Sequence, residues 1–420
     1  MTSPVVPSAD GLGGHLTAAD VTHRPLSRFS HLAEEARADL FERLPEPMRA
    51  SHDVSRVGAA LGAVLYVPAT TPKSAERLLS GYWPSVTAMV FCLEDAIADR
   101  DLPAAEQRVH EILGLVRAHV QQVGSREGVP FVFVRVRTPK HLERLLEEWG
   151  DLLSELDGVV LPKVGADQAR AFMKIVASAQ VGRDRPLWGL PILEGTDLAQ
   201  RESRLDSLLE LRSVVARHRS LIPCLRIGAT DLSGQWGLRR PRDFTIYDLA
   251  VVRDIIADIV NVLARDEDAP PISGAVWEYV REPRVFKPRL RETPFADEFG
   301  DDVGPEIRRR LLSGAIDGLL REAMLDRTNG LHGKTVIHPM HALAVDSAYV
   351  VSYEEWQSAD AIAAANRAGD GVTASPGGER MNEPKPHALW ANRTLARARA
   401  FGVLRPDHTF LALLEETRGR

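Results

Sequence analysis

The sequence predicts an α/β fold, a closed (β/α)8 barrel with an N-terminal helical arm and a C-terminal helical tail. Three observations predict it. Eight short β-rich runs recur between residues 63 and 339. Most of them are continuous apolar stretches rather than alternating ones, as parallel strands covered on both faces require. Helical patterns fill most of the gaps, and about 250 residues is the usual extent of eight such units. A doubly wound open sheet is the competing arrangement, but it lacks its dinucleotide fingerprint here. Gly11-Leu12-Gly13-Gly14 follows no strand and opens no strand–turn–helix unit.

The elements follow in order. Residues 1–24 are rich in Pro, Gly, Ser and Thr and read as a loose arm. Over 29–44, Leu32, Ala36, Leu40 and Leu44 recur at helical spacing. The eight strands are expected at 63–68, 88–95, 130–136, 158–164, 187–194, 225–231, 272–277 and 334–339. Between the second and third, Val109, Ile112, Leu113, Val116 and Val120 share one face of a helix over 102–120, and 247–264 is similarly amphipathic. Two connections are long for a plain barrel, 232–270 and 278–333. The second contains REPRVFKPRLRETPFADEFGDD and then a helix over 307–324. Residues 341–420 read as a helical tail broken at 369–378. Leu389, Trp390, Leu395, Ala398 and Phe401 recur there at helical spacing and need a surface to pack on, with His387 and Trp390 docking the helix. The division expected is arm 1–62, barrel 63–345 and tail 346–420.

Composition narrows the function. With 52 basic against 58 acidic residues, 44% hydrophobic and 26% charged, the chain suits a folded soluble protein, and its net charge of −6 gives no reason to invoke nucleic acid or a membrane surface. Cys92 and Cys224 lie in separate apolar runs and read as buried thiols, not a disulfide framework. No basic-then-apolar leader and no run approaching about 20 apolar residues is present, so a cytoplasmic location is expected.

Active sites of such barrels lie at the C-terminal ends of the strands. The polar residues there are Glu94 and Asp95 at the end of the second strand, Arg135 and Arg137 at the third, Lys163 at the fourth, Glu194 at the fifth, Asp231 at the sixth and His338 at the eighth. Carboxylates from adjacent strands five and six, with no His or Cys ligand spacing, favour a hard dication such as Mg²⁺. Such an ion polarises a carbonyl, and an arginine fork nearby can hold a carboxylate or a developing enolate oxygen. Metal, arginine and an open mouth suit making or breaking a C–C bond beside a carbonyl. Arg137 alternates to the opposite face and reads as structural, His338 as a hydrogen-bonded packing residue, and Gly330 and Gly333 as turn formers. Lys163 pairs with a carboxylate or approaches substrate. Arg239-Arg240 and Arg308-Arg309-Arg310 read as solvated basic faces, although the first could meet an anionic substrate.

Seven segments then carry a likeness: LYVPATTPKSAERLL, FCLEDAIADRD, VFVRVR, GVVLPKV, PILEG, IGATDLSGQWG and GLHGKTVIHPMH. In this order they resemble the citrate lyase β-subunit-like family of the metal-dependent hydroxy-oxoacid aldolase superfamily, which are TIM barrels. The segment MNEPKPHALWANRTLARARAFGV resembles the longer branch of C–C bond lyase-like proteins found with tellurium-resistance-type gene clusters. The resemblance implies Glu194 and Asp231 as magnesium ligands, and Arg135 as the substrate-binding and catalytic arginine. It implies Glu94 and Asp95 as the acidic pair that shapes the site, and it implies a homo-oligomer, trimeric or hexameric. The expected activity is a Mg²⁺-dependent C–C bond lyase acting on a hydroxy or oxo acid, or on an acyl thioester such as a CoA ester, through a metal-stabilised enolate. Lys163 is a candidate substrate-binding residue. A thioester hydrolase on the same scaffold, or a barrel that only binds ligands or partners, are the competing functions. Arg137 stands where the family commonly has Asn, and Glu194 and Asp231 are further apart than is usual there.

Overall fold

Eight parallel strands form the ring that positions everything else. They are β1 (Ala63–Pro68), β2 (Ala88–Cys92), β3 (Phe131–Arg135), β4 (Gly158–Val164), β5 (Trp188–Leu193), β6 (Leu225–Ile227), β7 (Ile272–Ser273) and β8 (Lys334–Val336). Each pairs with the next from β1 to β7, and β8 returns to pair with β1. A parallel bridge between Gly274 and Lys334 closes the last gap, with Gly274 N donating to Gly333 O at 3.0 Å. This computed structural model describes residues 25–49, 53–280, 314–375, 378 and 381–416. The arm at 1–24, the charged stretch at 281–302 and the Arg308–Arg310 run therefore lie outside the described residues.

The helices that cover the ring are α1 (Ser74–Leu79), α2 (Leu102–Val123), α3 (Pro139–Trp149), α4 (Ala166–Ser178), α5 (Arg201–Arg217), α6 (Ala250–Leu263), α7 (Gly314–Thr328) and α8 (Pro339–Ala348). Their ends follow from local chemistry. Thr138 accepts a hydrogen bond from His141 N and Pro139 opens α3, while Gly124 ends α2 in the left-handed region at φ 74°. On α2, Val109, Ile112, Leu113 and Val116 are buried as their spacing predicts, whereas Val120 is half-buried. Gly330 and Gly333 take φ of 82° and 76°. A side chain on Gly333 would collide with Gly62 O, so the turn into β8 requires glycine.

Several expectations need correction. Two strands, β1 and β4, span their full runs, but the other six are shorter: β2 stops at Cys92 and β6 at Ile227. Gly228 then opens a one-turn helix, Ala229–Gly234, that carries Asp231. The helix expected over 29–44 covers only Glu34–Leu40. Phe41 is extended, packs on Phe29 and pairs with Leu404 of the tail, and that tertiary pairing overrides the helical periodicity. Leu44 is left exposed. Arg240 is not solvated. It is 3% exposed, ion-paired with the fully buried Glu322 of α7 and stacked 4.5 Å from the Trp277 ring centroid. A buried carboxylate needs a cation, and α7 presents two of them; Lys334 reaches Glu322 at 2.8 Å and Asp326 at 2.6 Å.

The tail is α9 (Tyr353–Ala368), α10 (Pro384–Phe401) and α11 (Phe410–Glu416). Ala359, Ile362 and Ala363 of α9 meet Ala391 and Leu395 of α10. Phe401 is fully buried beneath the Arg28 guanidinium, which lies 4.1 Å from its ring centroid and pairs with Asp346 of α8 at 3.0 Å. One arginine thus joins arm, barrel and tail. Trp390 does not dock; it is 40% exposed, because Ala391, about 100° further round the helix, faces α9 instead. His387 Nδ1 accepts from Glu383 N at 3.3 Å in the first turn of α10. Both cysteines are free and buried, and among the described residues no helix is long and apolar enough to cross a membrane.

Candidate active site

Five of the strand ends deliver one cluster. Glu94 and Asp95 follow β2, Arg135 ends β3, Lys163 lies within β4, Glu194 follows β5, and Asp231 sits on the turn after β6. The Arg135 Nη2 atom lies 2.7 Å from Glu94 Oε2, 3.1 Å from Asp95 Oδ2 and 3.3 Å from Glu194 Oε1. Lys163 Nζ lies 2.5 Å from Asp231 Oδ1, 3.3 Å from Glu94 Oε1 and 3.5 Å from Asp95 Oδ1. Every site residue expected from the sequence therefore belongs to one connected network at the C-terminal mouth. Four carboxylates face two cations, a formal surplus of two negative charges.

Local backbone features set this geometry. Lys163 is a non-glycine residue at φ 54°, where the β4–β5 register is interrupted between Leu161 and Val164. Such a conformation costs about 1 kcal/mol or more and marks a residue re-aimed by its surroundings. Its amide N–H donates to Glu194 Oε1 at 2.9 Å, while its ammonium reaches over the mouth to Asp231. Gly228 gives Glu194 its place, since a Cβ there would fall 1.7 Å from Glu194 Oε2.

Burial sorts the carboxylates. Glu194 is 4% exposed, and burial, with the negative charge of Asp231, pushes its pKa up to about 7 against the pull of Arg135. Burial likewise raises Glu94, which also shares a hydrogen bond with Asp95. Burial would raise Asp95 too, but its hydrogen bond with Glu94 and the charges of Arg135 and Lys163 hold it below its ordinary value. Desolvation opposes the charges of Arg135 and Lys163. For Arg135, Glu194 and Glu94 outweigh it; for Lys163, Asp231 and Glu94 do, so both are held more firmly protonated than usual. A protonated Lys163 is no amine nucleophile, and the site is electrostatic in character.

The donor set suits a hard dication. All four acidic side chains offer carboxylate oxygens, and Mg²⁺ takes one or two of these and completes its shell with water and substrate oxygens. Among the described residues no group of three or more His, Cys, Asp or Glu is arranged to hold a metal ion. A cleft of about 460 Å³ lined by Glu94, Asp95, Arg137, Pro162 and Lys163 opens beside the cluster. Arg137 is structural, as its position predicts. Its Nε and Nη2 donate to Leu93 O and Ile97 O at 2.7 Å each, fixing the loop that carries Glu94 and Asp95. His338 accepts from Met340 N at 3.3 Å and caps α8.

Sequence reasoning missed Gly228, which was legible only as a glycine at a strand end.

Fold and site together define a (β/α)8-barrel enzyme with an acid-rich mouth. The chain belongs to the family of C–C bond lyases of the TIM-barrel fold, which matches residues 55–403, and is thereby an enzyme of the carbon–carbon lyase class. Among solved structures, a citrate lyase from Burkholderia xenovorans LB400 is similar with a TM-score of 0.56 at 15% identity, covering 85% of this chain and 96% of that one. The protein CitE from Mycobacterium tuberculosis, solved with magnesium, acetoacetate and coenzyme A, gives a TM-score of 0.48 at 20% identity over 81% of this chain and 99% of its own. The citrate lyase β subunit of M. tuberculosis, complexed with oxaloacetate and magnesium, gives 0.42 at 19% identity over 70% and 99%. No curated protein sequence matches this chain.

Proposed function

We propose that this protein is a Mg²⁺-dependent lyase that cleaves, or in reverse forms, the C–C bond β to a carbonyl of a hydroxy or oxo acid or its acyl thioester, such as a CoA ester. The observation that carries the reading is the surplus of two negative charges gathered at one barrel mouth, which matches one dication. Glu194 and Asp231 are the residues that would hold it. When bound, Mg²⁺ supplies Lewis-acid polarisation of the substrate carbonyl.

The remaining work falls to the chain itself. Arg135 orients the substrate and receives the oxygen on which enolate charge develops, its guanidinium held charged by Glu194 and Glu94. Lys163 neutralises Asp231 and lines the cleft where the acid enters. Asp95, ionised and half exposed at the lip, is the general acid/base, and Glu94 holds its backbone N–H at 2.8 Å. The protein acts in the cytoplasm as a homo-oligomer, trimeric or hexameric, on small molecules rather than on nucleic acid or membranes. Light scattering that gave a monomer at micromolar concentration would remove the assembly.

The test is α-hydrogen exchange into deuterated water, followed by NMR with pyruvate and acetyl thioesters. Exchange depends on Mg²⁺, is abolished by a chelator, and falls on the order of 10² to 10⁴ in Asp231→Asn and Glu194→Gln. Exchange unchanged in both variants and in chelator overturns the reading.

A further inference from the structure

Lys163 is strained, and something must hold it there. A non-glycine residue at φ 54° persists only where its surroundings over-determine the backbone. Main-chain pairing is thin at this level: Val164 O accepts from Gly195 N at 3.2 Å and from Glu194 N at 3.4 Å. Packing adds little on the outer side, because a cleft of about 510 Å³, lined by Lys163, Gly165, Thr196, Asp197 and Ser207, opens over the turn.

Asp197 supplies the missing contact. It lies on the short helix Thr196–Ala199 that follows Glu194. Its Oδ2 accepts from Ala166 N, in the first turn of α4, at 3.3 Å, and from Ser207 Oγ of α5. Gly165 has no side chain with which to cap α4, so the carboxylate provides from outside what an N-cap side chain would. In turn α5 fixes the short helix. Ser203 Oγ donates to Asp197 O at 2.9 Å, and the buried Arg204 donates to Leu198 O and Ala199 O at 2.8 Å each.

Two glycines make room for this carboxylate. A Cβ on Gly165 would fall 2.5 Å from Asp197 Cγ and closer still to both of its oxygens, and one on Gly195 would collide with Oδ1. Neither position needs glycine for its backbone, since φ is −112° at Gly165 and −61° at Gly195, both open to every residue. At Gly165 the three atoms that a side chain would meet first all belong to Asp197.

We propose that Asp197 is a positioning residue: it pins the β4–α4 turn to the exit of β5 and so fixes Lys163 and Glu194 relative to each other. It acts through the Lys163 N–H, which donates to Glu194 Oε1 at 2.9 Å. Its consequence for Mg²⁺ binding rests on the lyase reading; its hold on the turn does not.

Two measurements on the full chain test it. Hydrogen exchange resolved to single amides by electron-transfer mass spectrometry reads Lys163, and calorimetric titration reads Mg²⁺. In Asp197→Ala and in Gly165→Ala the Lys163 amide exchanges about tenfold faster and Mg²⁺ binds about tenfold more weakly. Asp197→Asn keeps an acceptor of the same shape and stays within about threefold of wild type in both readings. The double variant Asp197→Ala/Gly165→Ala is no worse than either single one, because both remove the same contact. Gly165→Ala decides the matter if Asp197→Ala does not fold. Asp157→Asn, which destabilises the far end of the barrel, changes neither reading and separates positioning from a general loss of stability. Lys163 exchange at the wild-type rate in Asp197→Ala, or single-variant defects that multiply in the double variant, overturns the proposal. Faster exchange with Mg²⁺ affinity unchanged reduces Asp197 to a helix cap and overturns it too. A wild-type protein that binds no Mg²⁺ removes the lyase reading and leaves the exchange rates to decide this one.

Discussion

Replacing Gly228 with alanine puts a methyl group where Glu194 stands. A Cβ on Gly228 would lie 1.7 Å from Glu194 Oε2, 2.6 Å from its Cδ and 2.7 Å from its Cβ. Non-bonded carbon contacts settle near 3.5 Å, so the carboxylate tip withdraws by roughly 1.5 Å or more. The backbone is no obstacle, since Gly228 has φ −96° and ψ 68°, on the side of φ open to every residue. Overpacking of this kind costs about 1–3 kcal/mol, a part of the usual 5–15 kcal/mol of stability, and the fold survives. The site does not, because a displacement of about 1 Å in a catalytic group costs on the order of 10²-fold in rate. The assay is α-hydrogen exchange with a Mg²⁺ titration, beside thermal melts followed by circular dichroism. Gly234→Ala, with nothing within 4 Å of its would-be Cβ, is the matched control and exchanges at the wild-type rate. Gly228→Ala exchanging within threefold of wild type, at normal Mg²⁺ affinity, would refute the reasoning that Glu194 must occupy this position.

Three further outcomes follow from the same network of charges. Lys163→Gln removes a cation that competes for Asp231. With Lys163 half exposed the effect is screened to about 1 kcal/mol, so Mg²⁺ binds several-fold more tightly by calorimetry; weaker binding counts against Asp231 as a ligand. At the other end of the barrel, Asp157 is held by Arg49 at 2.9 Å and by Arg126 and Arg185 at 3.1 Å. Burial alone would raise its pKa, but these arginines depress it far below the ordinary value, so its stabilisation is fully present above the unfolded pKa near 4 and is lost as pH falls further. Asp157→Asn therefore lowers stability by about 3–5 kcal/mol at pH 7, and denaturant melts show the gap narrowing in acid; an equal gap at pH 7 and pH 3 contradicts it. Lys334→Met strands Asp326 and leaves Glu322 with Arg240 alone, all of them buried, and lowers stability by about 3–5 kcal/mol in urea melts; a loss under 1 kcal/mol would mean Asp326 is neutral without its lysine.

The fold was legible because a covered parallel strand writes a continuous apolar run, and all eight runs became strands in the expected order. What hydrophobicity could not convey was where pairing stops. Apolarity continues past Cys92 and Ile227, yet the ladder ends there, since Gly228 turns the chain into a helix and Leu93 leads into the Glu94–Asp95 loop. The arm misled for a related reason. Phe41 sits where a helix would continue, but Leu404, more than 360 residues later, supplies a strand partner that local periodicity cannot report.

The site shows the same division between residue type and relation. Glu94, Asp95, Arg135, Lys163, Glu194 and Asp231 could be named in advance because polar residues ending apolar strands converge on one rim of a barrel. Their order of burial could not, and burial is what separates a Glu194 raised to about 7 from an Asp95 that stays ionised. The bulge that turns Lys163 toward Asp231 leaves no mark in GVVLPKV except the proline before it. Arg226 is the converse case. Its charge was visible in an apolar strand, but only the barrel shows that it points inward beside Tyr66 and Thr335 rather than out to solvent.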